Sequence, residues 1–321
     1  MARKLALLVG VNQHFGGDIR DNDLKGCIPD VIQTRNNVTG ITLARDVLVR
    51  TYGFKDEDIR MLTDGRAKKY EIFNRLKEYA AELEPGDLFV FEMSSHGTRY
   101  PIRLKDGTLT GALDCLCATD FTWDDPVLIG REIGKVFGHV PATAQVVFIL
   151  DACHSGKQFR DLNPGVRLDT TAPYRKDRFV APPVDVAHRF RGVGQVPAPG
   201  QTPKHVLLYS ACDFNETAAD AFINGGFHGA FTYHLWQVVG ESKPDASYED
   251  IRRASMKALQ ADGFAQNPGL EGDPAEAALP FLGGARGVVP PTPPPSANKP
   301  KPSGFFTGYG VGELPESAGF I

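Results

Sequence analysis

The chain has 321 residues, 42% of them hydrophobic, with 35 basic against 39 acidic side chains and a formal net charge of -4. Such a length and apolar share can bury a substantial core in one large domain or two small ones, and the near-balanced charge offers no basic field for a nucleic acid or an anionic membrane. Five cysteines are too few for a disulfide framework, and their odd number leaves a free thiol, which fits the reducing cytosol.

In chain order, MARKLALLVGVN imitates a signal peptide, with Arg3 and Lys4 before the apolar run 5–11, but no small-residue cleavage site follows and the run reads as a first buried strand. No apolar run approaches the roughly 20 residues of a membrane helix. ITLARDVLVRTYGF from Ile41 has helical spacing and stops at Gly53; DIRMLTD from Asp58 is strand-like; YEIFNRLKEYAAEL from Tyr70 is a second helix ending near Pro85-Gly86. DLFVFEM from Asp87, QVVFILD from Gln145 and HVLLYSA from His205 are further short strands. Being apolar on both faces, the strands predict a parallel sheet covered by helices, an α/β layered sandwich. FTYHLWQVVG from Phe231 and SYEDIRRASMKALQADGF from Ser247 add two amphipathic helices, the second opening on a Ser247-x-x-Asp250 cap. Residues 157–203, rich in Pro, Gly and Arg and without a sustained period, read as a long mobile insertion in a domain spanning 1–286. Residues 287–321 form a Pro-rich tail that reads as disordered.

Ligands and catalytic groups of a parallel sheet gather beyond the carboxyl ends of its strands, where the crossover loops reach one crevice. DLFVFEM is followed by Ser94-Ser95-His96-Gly97, and QVVFIL by Asp151-Ala152-Cys153-His154-Ser155-Gly156. If these strands are neighbours, His96 and Cys153 face each other across one sheet edge. A thiol that ionises near 8.5 needs a base to attack at neutral pH, and an imidazole can take its proton and later give it to the leaving amine. Gly97 and Gly156 let backbone approach a substrate carbonyl, so the amides of Gly97 and Cys153 are candidates for an oxyanion hole. Alone, Cys153 reads as a small buried hydrophobe; its pairing with His96 argues for chemistry. His154, adjacent to Cys153, points to the other side of the strand end and is assigned a structural hydrogen bond. Ser155 lacks the G-x-S-x-G elbow of a serine hydrolase.

These boxes resemble the caspase-like cysteine peptidases of clan CD, family C14, and among them the metacaspases. The resemblance runs over residues 3–283, through LALLVGVN, LKGCIPD, SSHG, DACHSG, SACDFNETAAD, GAFTYHL and FAQNPGL. It implies a caspase-like αβα sandwich around a mostly parallel, roughly six-stranded sheet, with His96 as general base and Cys153 as nucleophile. It also implies a monomer acting on protein or peptide substrates.

Asp151 stands two places before the cysteine, where caspases that cut after aspartate have glutamine. A carboxylate there raises the pKa of the thiol, a cost that is justified if it holds an incoming guanidinium or ammonium. By the resemblance, the pocket is completed by Asp30 of Cys27-Ile28-Pro29-Asp30 and by Ser94, and cleavage follows Arg or Lys. Asp30 reads equally well as a helix cap. The calcium site of many metacaspases is not matched: Ile129-Gly130-Arg131-Glu132 replaces a pair of aspartates, and Asp161 is displaced from its expected place. Asp120, Asp124 and Asp125 could form a hard-oxygen site but read better as solvated loop acids, so calcium independence and no cofactor are expected.

Cys115-x-Cys117 is half of a zinc motif without its other half and fits alternate strand positions; Cys212 reads as core or pocket wall. GVNQHFGG lacks the Lys and Ser/Thr of a phosphate loop. The insertion carries Arg160, Arg167, Arg175, Lys176, Arg178, Arg189 and Arg191, residue types that the pocket would accept, so cleavage there, by the chain itself or by an upstream protease, is the expected activating step. The reading from another class is a caspase-like binding or scaffold module with a silent dyad; an amidase or transpeptidase on the same dyad is a third.

Overall fold

The computed structural model describes residues 2–15, 19, 22–32, 43–103, 109–124, 130–153, 174–183, 205–213 and 216–283, all within the unit Met1–Val288. The expected tail at 287–321, and most of the insertion at 157–203, lie outside the described residues.

Among the described residues the strands are, in chain order, β1 (Lys4–Gly10), β2 (Ile59–Thr63), β3 (Leu88–Ser94), β4 (Gly97–Arg103), β5 (Leu109–Leu116), β6 (Gln145–Asp151), β7 (Arg175–Asp177), β8 (Val206–Ser210), β9 (Ala219–Ile223), β10 (Gly226–Gly229) and β11 (Gly269–Glu271). The central sheet has six strands in the order β11-β8-β6-β3-β1-β2. Its neighbours run parallel, except that β11 is antiparallel to β8. The five apolar runs of the sequence are its five parallel strands.

Alternation of side chains at a period of two divides each strand between two cores. Ala6, Leu8, Val90, Val147 and Ile149 point into one cluster, with Val47, Trp236 and Leu259 from helices Ala44–Arg50, Ala230–Glu241 and Tyr248–Ala261. Leu5, Leu7, Val9, Phe89, Phe91, Val146 and Phe148 point into the other, against Leu76 and Phe137 of helices Lys69–Glu82 and Gly130–Phe137. Both faces are buried, which is why the strands read as continuous apolar runs.

Ser247 begins its helix as anticipated: its side chain accepts from Asp250 N at 3.1 Å while Asp250 Oδ2 accepts from Ser247 N at 3.2 Å. Ser247→Ala should lower stability by about 1 kcal/mol, measured by urea unfolding.

Outside the central sheet, β4 and β5 form a hairpin, and β7 adds to β9 and β10 in a small antiparallel sheet. The strand β7 corrects the expectation of a mobile insertion for residues 174–183. Arg175-Lys176-Asp177 has no apolar period because main-chain pairing to Ala219, Asp220 and Ala221 holds it, not burial of its side chains.

Candidate active site

The two strand ends lie side by side. β3 and β6 are parallel neighbours in register Ser94↔Asp151, so His96 and Cys153 each lie two residues beyond a matched pair. Counting by twos from Val90 and Val147, Ser94 and Asp151 fall on the face covered by helices Cys27–Ile32 and Ala230–Glu241. Asp30 comes from the first of these helices, and Asp220 from β9.

A cation fills the space between them. Arg178 is fully buried (0% exposed), as are Asp30, Ser94, Asp151 and Asp220. One terminal nitrogen, Nη2, donates to Asp30 Oδ2 and Asp220 Oδ1, each at 3.0 Å. The other, Nη1, donates to Ser94 Oγ and to the Asp151 carbonyl at 3.1 Å, and lies 3.3 Å from Asp151 Oδ1. Burial disfavours the guanidinium charge, yet Asp151, Asp30 and Asp220 hold the pKa of Arg178 well above its ordinary value. Burial raises the pKa of Asp151; Arg178 opposes that rise, and Asp30 adds to it.

The carboxylates are themselves fixed. Asp151 Oδ2 accepts from Thr232 N at 2.9 Å and Thr232 Oγ1 at 2.7 Å. Asp30 accepts from Ser94 Oγ at 2.6 Å and from Gly229 N at 3.0 Å. Asp220 takes the amides of Lys25 and Gly26, both at 2.9 Å. A Cβ at Gly229 would stand 2.2 Å from Asp151 Oδ2 and 2.6 Å from Arg178 Nη1, so only glycine fits at that wall.

Arg178 is held by its backbone as well. Its carbonyl accepts from Gly97 N at 2.8 Å and Cys153 N at 3.3 Å, and its own amide donates to Ala218 O at 2.9 Å. Gly97 has no room for a side chain either, since a Cβ would come within 2.0 Å of the Cys153 carbonyl. The two amides read from the sequence as an oxyanion-hole pair therefore converge on one carbonyl oxygen.

Burial and, secondarily, the neighbouring thiol of Cys212 push Cys153 well above the usual thiol range, against the Ala218 amide, which donates to its Sγ at 2.6 Å. Cys212 is thus a wall beside Cys153. The His96 ring is buried, and its Nε2 meets the Asn22 carbonyl at 2.6 Å. A carbonyl can only accept, so Nε2 carries the proton and Nδ1 keeps the lone pair; Nδ1 has no hydrogen-bond partner among the described residues. Burial first, and the His14 ring at 5.4 Å second, lower the pKa of His96 to about 3.

Burial lowers His14 to about 4. An unfolded histidine binds its proton near 6.5, so between about 6.5 and 4 the unfolded chain holds a proton that folded His14 lacks. Acidification through that window should therefore cost about 1.4 kcal/mol per pH unit at this residue. Glu92 and Asp151, raised by burial, act in the opposite sense. Comparison with His14→Phe isolates the histidine: by urea unfolding at pH 7, 6 and 5, the wild type should lose stability relative to the variant as pH falls, whereas a constant difference would refute the assignment.

Of the anticipated basic positions, Arg175 is exposed and stacks on Phe264 at 4.8 Å, Lys176 Nζ donates to Asp23 O at 2.7 Å, and Arg178 is buried, not displayed on a loose loop. Arg160, Arg167, Arg189, Arg191, His154, Ser155 and Gly156 lie outside the described residues. So do Asp125 and Asp161 of the calcium question. Asp120 Oδ1 accepts from Lys69 N at 2.8 Å, and no group of three or more metal-binding side chains occurs among the described residues. No helix among the described residues is long and apolar enough to cross a membrane.

Asp220, Asn22 and His14 carry no motif that marks them in the sequence. Asp220 closes the quoted segment SACDFNETAAD, but nothing in a run of small residues announces which acid turns inward. Asn22 acts through its carbonyl, which no side-chain pattern reveals.

The caspase domain of Peptidase C14 matches residues 3–278. Metacaspase-9 of Arabidopsis thaliana is 24% identical over 321 residues, covering 84% of this chain and 93% of that protein. Metacaspase-6 of Arabidopsis thaliana is 29% identical over 161 residues, 49% of this chain and 39% of that protein. A crystal structure of a protein from Geobacter sulfurreducens shares the fold, with TM-score 0.59 and 21% identity over 88% of this chain and 100% of the other. The caspase-domain match takes in both strand ends, Asp30, Arg178 and Asp220, and the chain belongs to the caspase-domain family Peptidase C14, with metacaspases among its relatives.

Proposed function

We propose that the chain is a cysteine endopeptidase that cuts after arginine, and less readily after lysine, with Cys153 as nucleophile and His96 as base. The observation that carries this reading is the seating of Arg178: side chain among Asp30, Asp151 and Asp220, carbonyl between two amides, in the posture of a substrate residue before a scissile bond. In the proposed reaction, Sγ bonds to the carbonyl carbon and the developing oxyanion takes the amides of Gly97 and Cys153. His96 Nδ1 accepts the thiol proton and passes it to the departing amine. Water then hydrolyses the thioester, with His96 again as base.

The bond between Arg178 and Phe179 is accordingly the chain's own first substrate. While it is intact, the strand fills the cleft and the buried thiol stays protonated, so the uncut chain is latent. Burial of Arg178 favours the chain's own Cys153 over an upstream protease at this bond. Calcium has no assigned role in this account.

Fluorogenic peptides ending in Arg, Lys or Asp, with and without calcium, test the reading. Arg peptides should be cleaved fastest, Asp peptides not measurably, and calcium should change neither. Preference for Asp, or hydrolysis that persists in Cys153→Ala, would refute it.

A further inference from the structure

The strand that fills the cleft is held as firmly after Arg178 as before it. Phe179 forms a parallel bridge with Gly97. Val180 N donates to Gly97 O at 3.0 Å, and Thr98 Oγ1 donates to Val180 O at 2.6 Å. The two side chains part company: Phe179 packs into the large cluster that includes Cys153 and Cys212, whereas Val180 enters a separate cluster with Ile19, Cys115, Cys117, Phe121 and Trp123. Phe121 and Trp123 stand edge to face at 5.1 Å. The cluster around Val180 shares no side chain with the acid pocket and receives a residue whose backbone is already fixed on both sides.

We propose that this recess is a second specificity site, which takes an aliphatic side chain two residues beyond the cut bond. The inference rests on the reading of residues 174–180 as a bound substrate. Extended pairing supplies the general hold on a peptide, and side-chain pockets at alternate positions supply selection. Here one pocket reads charge before the cut and the other reads apolar bulk after it. A substrate with Arg in the first pocket and Asp, Gly or Lys in the second would then be a poor one. The pair Cys115 and Cys117 becomes intelligible as small walls of this recess.

The test offers the full chain a peptide copying residues 174–183, copies with Leu, Gly or Asp in place of Val180, and a copy with Ala in place of Arg178. Hydrolysis is read as kcat/KM on the self-cleaved wild type, and affinity as the inhibition constant of each peptide in competition with a fluorogenic arginyl substrate on that same protein. The chain's own strand competes equally with every peptide, so ratios survive its presence. Val and Leu peptides should agree within about threefold, Gly should fall by about 10-fold and Asp by about 100-fold in both readouts. In Trp123→Ala the Val-to-Gly ratio should collapse toward one while the penalty for losing Arg persists.

If the Val, Gly and Asp peptides behave alike while Arg is still required, the recess is refuted and the peptidase reading stands. If Arg can be replaced by Ala at no cost, the peptidase reading fails, and the Val-to-Asp binding ratio alone decides the recess. Absence of binding by every peptide overturns both.

Discussion

Replacing Cys153 by alanine should lower kcat/KM for arginyl peptides by at least about 10³-fold, and His96→Ala should do nearly as much. In the proposed reaction the two groups act as a unit: without sulfur there is no acyl-enzyme, and without imidazole the thiol, held neutral by burial, has no base. The double variant should therefore be scarcely worse than either single one, which kcat/KM of all three proteins measures directly. Roughly multiplicative losses would mean that the two side chains do not share a step. Burial and His14 lower the pKa of His96 to about 3, so the ring is unprotonated but a weak proton acceptor while the strand fills the cleft, in keeping with a latent uncut chain. Its Nε2 proton is committed to Asn22 O at 2.6 Å, which leaves Nδ1 as the accepting atom.

Asp151→Asn should lower kcat/KM for arginyl peptides by about 10²-fold to 10³-fold, the cost of removing one partner of a buried, hydrogen-bonded charge pair. Asn keeps the shape and can still accept from Thr232, so the loss reports charge and not collapse of the wall. Three buried carboxylates surround one guanidinium; without a cation between them they would repel one another in a medium that screens poorly. The same carboxylates should exclude an aspartyl substrate by repulsion as effectively as they would recruit an arginyl one. Peptides ending in Asp should stay uncleaved in the wild type and gain little in Asp151→Asn, because Asp30 and Asp220 remain.

The parallel sheet was legible in the sequence because its central strands β1, β3 and β6 are buried on both faces and so appear as apolar runs. The order of β3 beside β6 could be assumed but not read, and the site depends on it. Amphipathic helices with stops or caps, such as Tyr248–Ala261 behind Ser247, were equally visible. Elements held by main-chain pairing were not: β7 consists of Arg175, Lys176 and Asp177, whose side chains carry no trace of the partner strand. The same holds for β4, whereas the end of β5 showed in the alternate strand positions read for Cys115 and Cys117. Within the pocket, Asp30 and Asp151 emerged from motif positions, whereas Asp220 gained meaning only when β9 brought it to 3.0 Å from Arg178. Arg178 itself stood in the sequence as one of seven interchangeable basic residues; packing alone singles it out.

The most direct test is covalent capture. The full chain is incubated with a thiol-reactive ketone whose peptide ends in Arg, and in parallel with one ending in Asp, and the adduct is located by peptide mass mapping. The account predicts one adduct, on Cys153, from the Arg reagent alone, and its loss in Asp151→Asn. Modification of Cys212 instead, or equal capture by the Asp reagent, would contradict it.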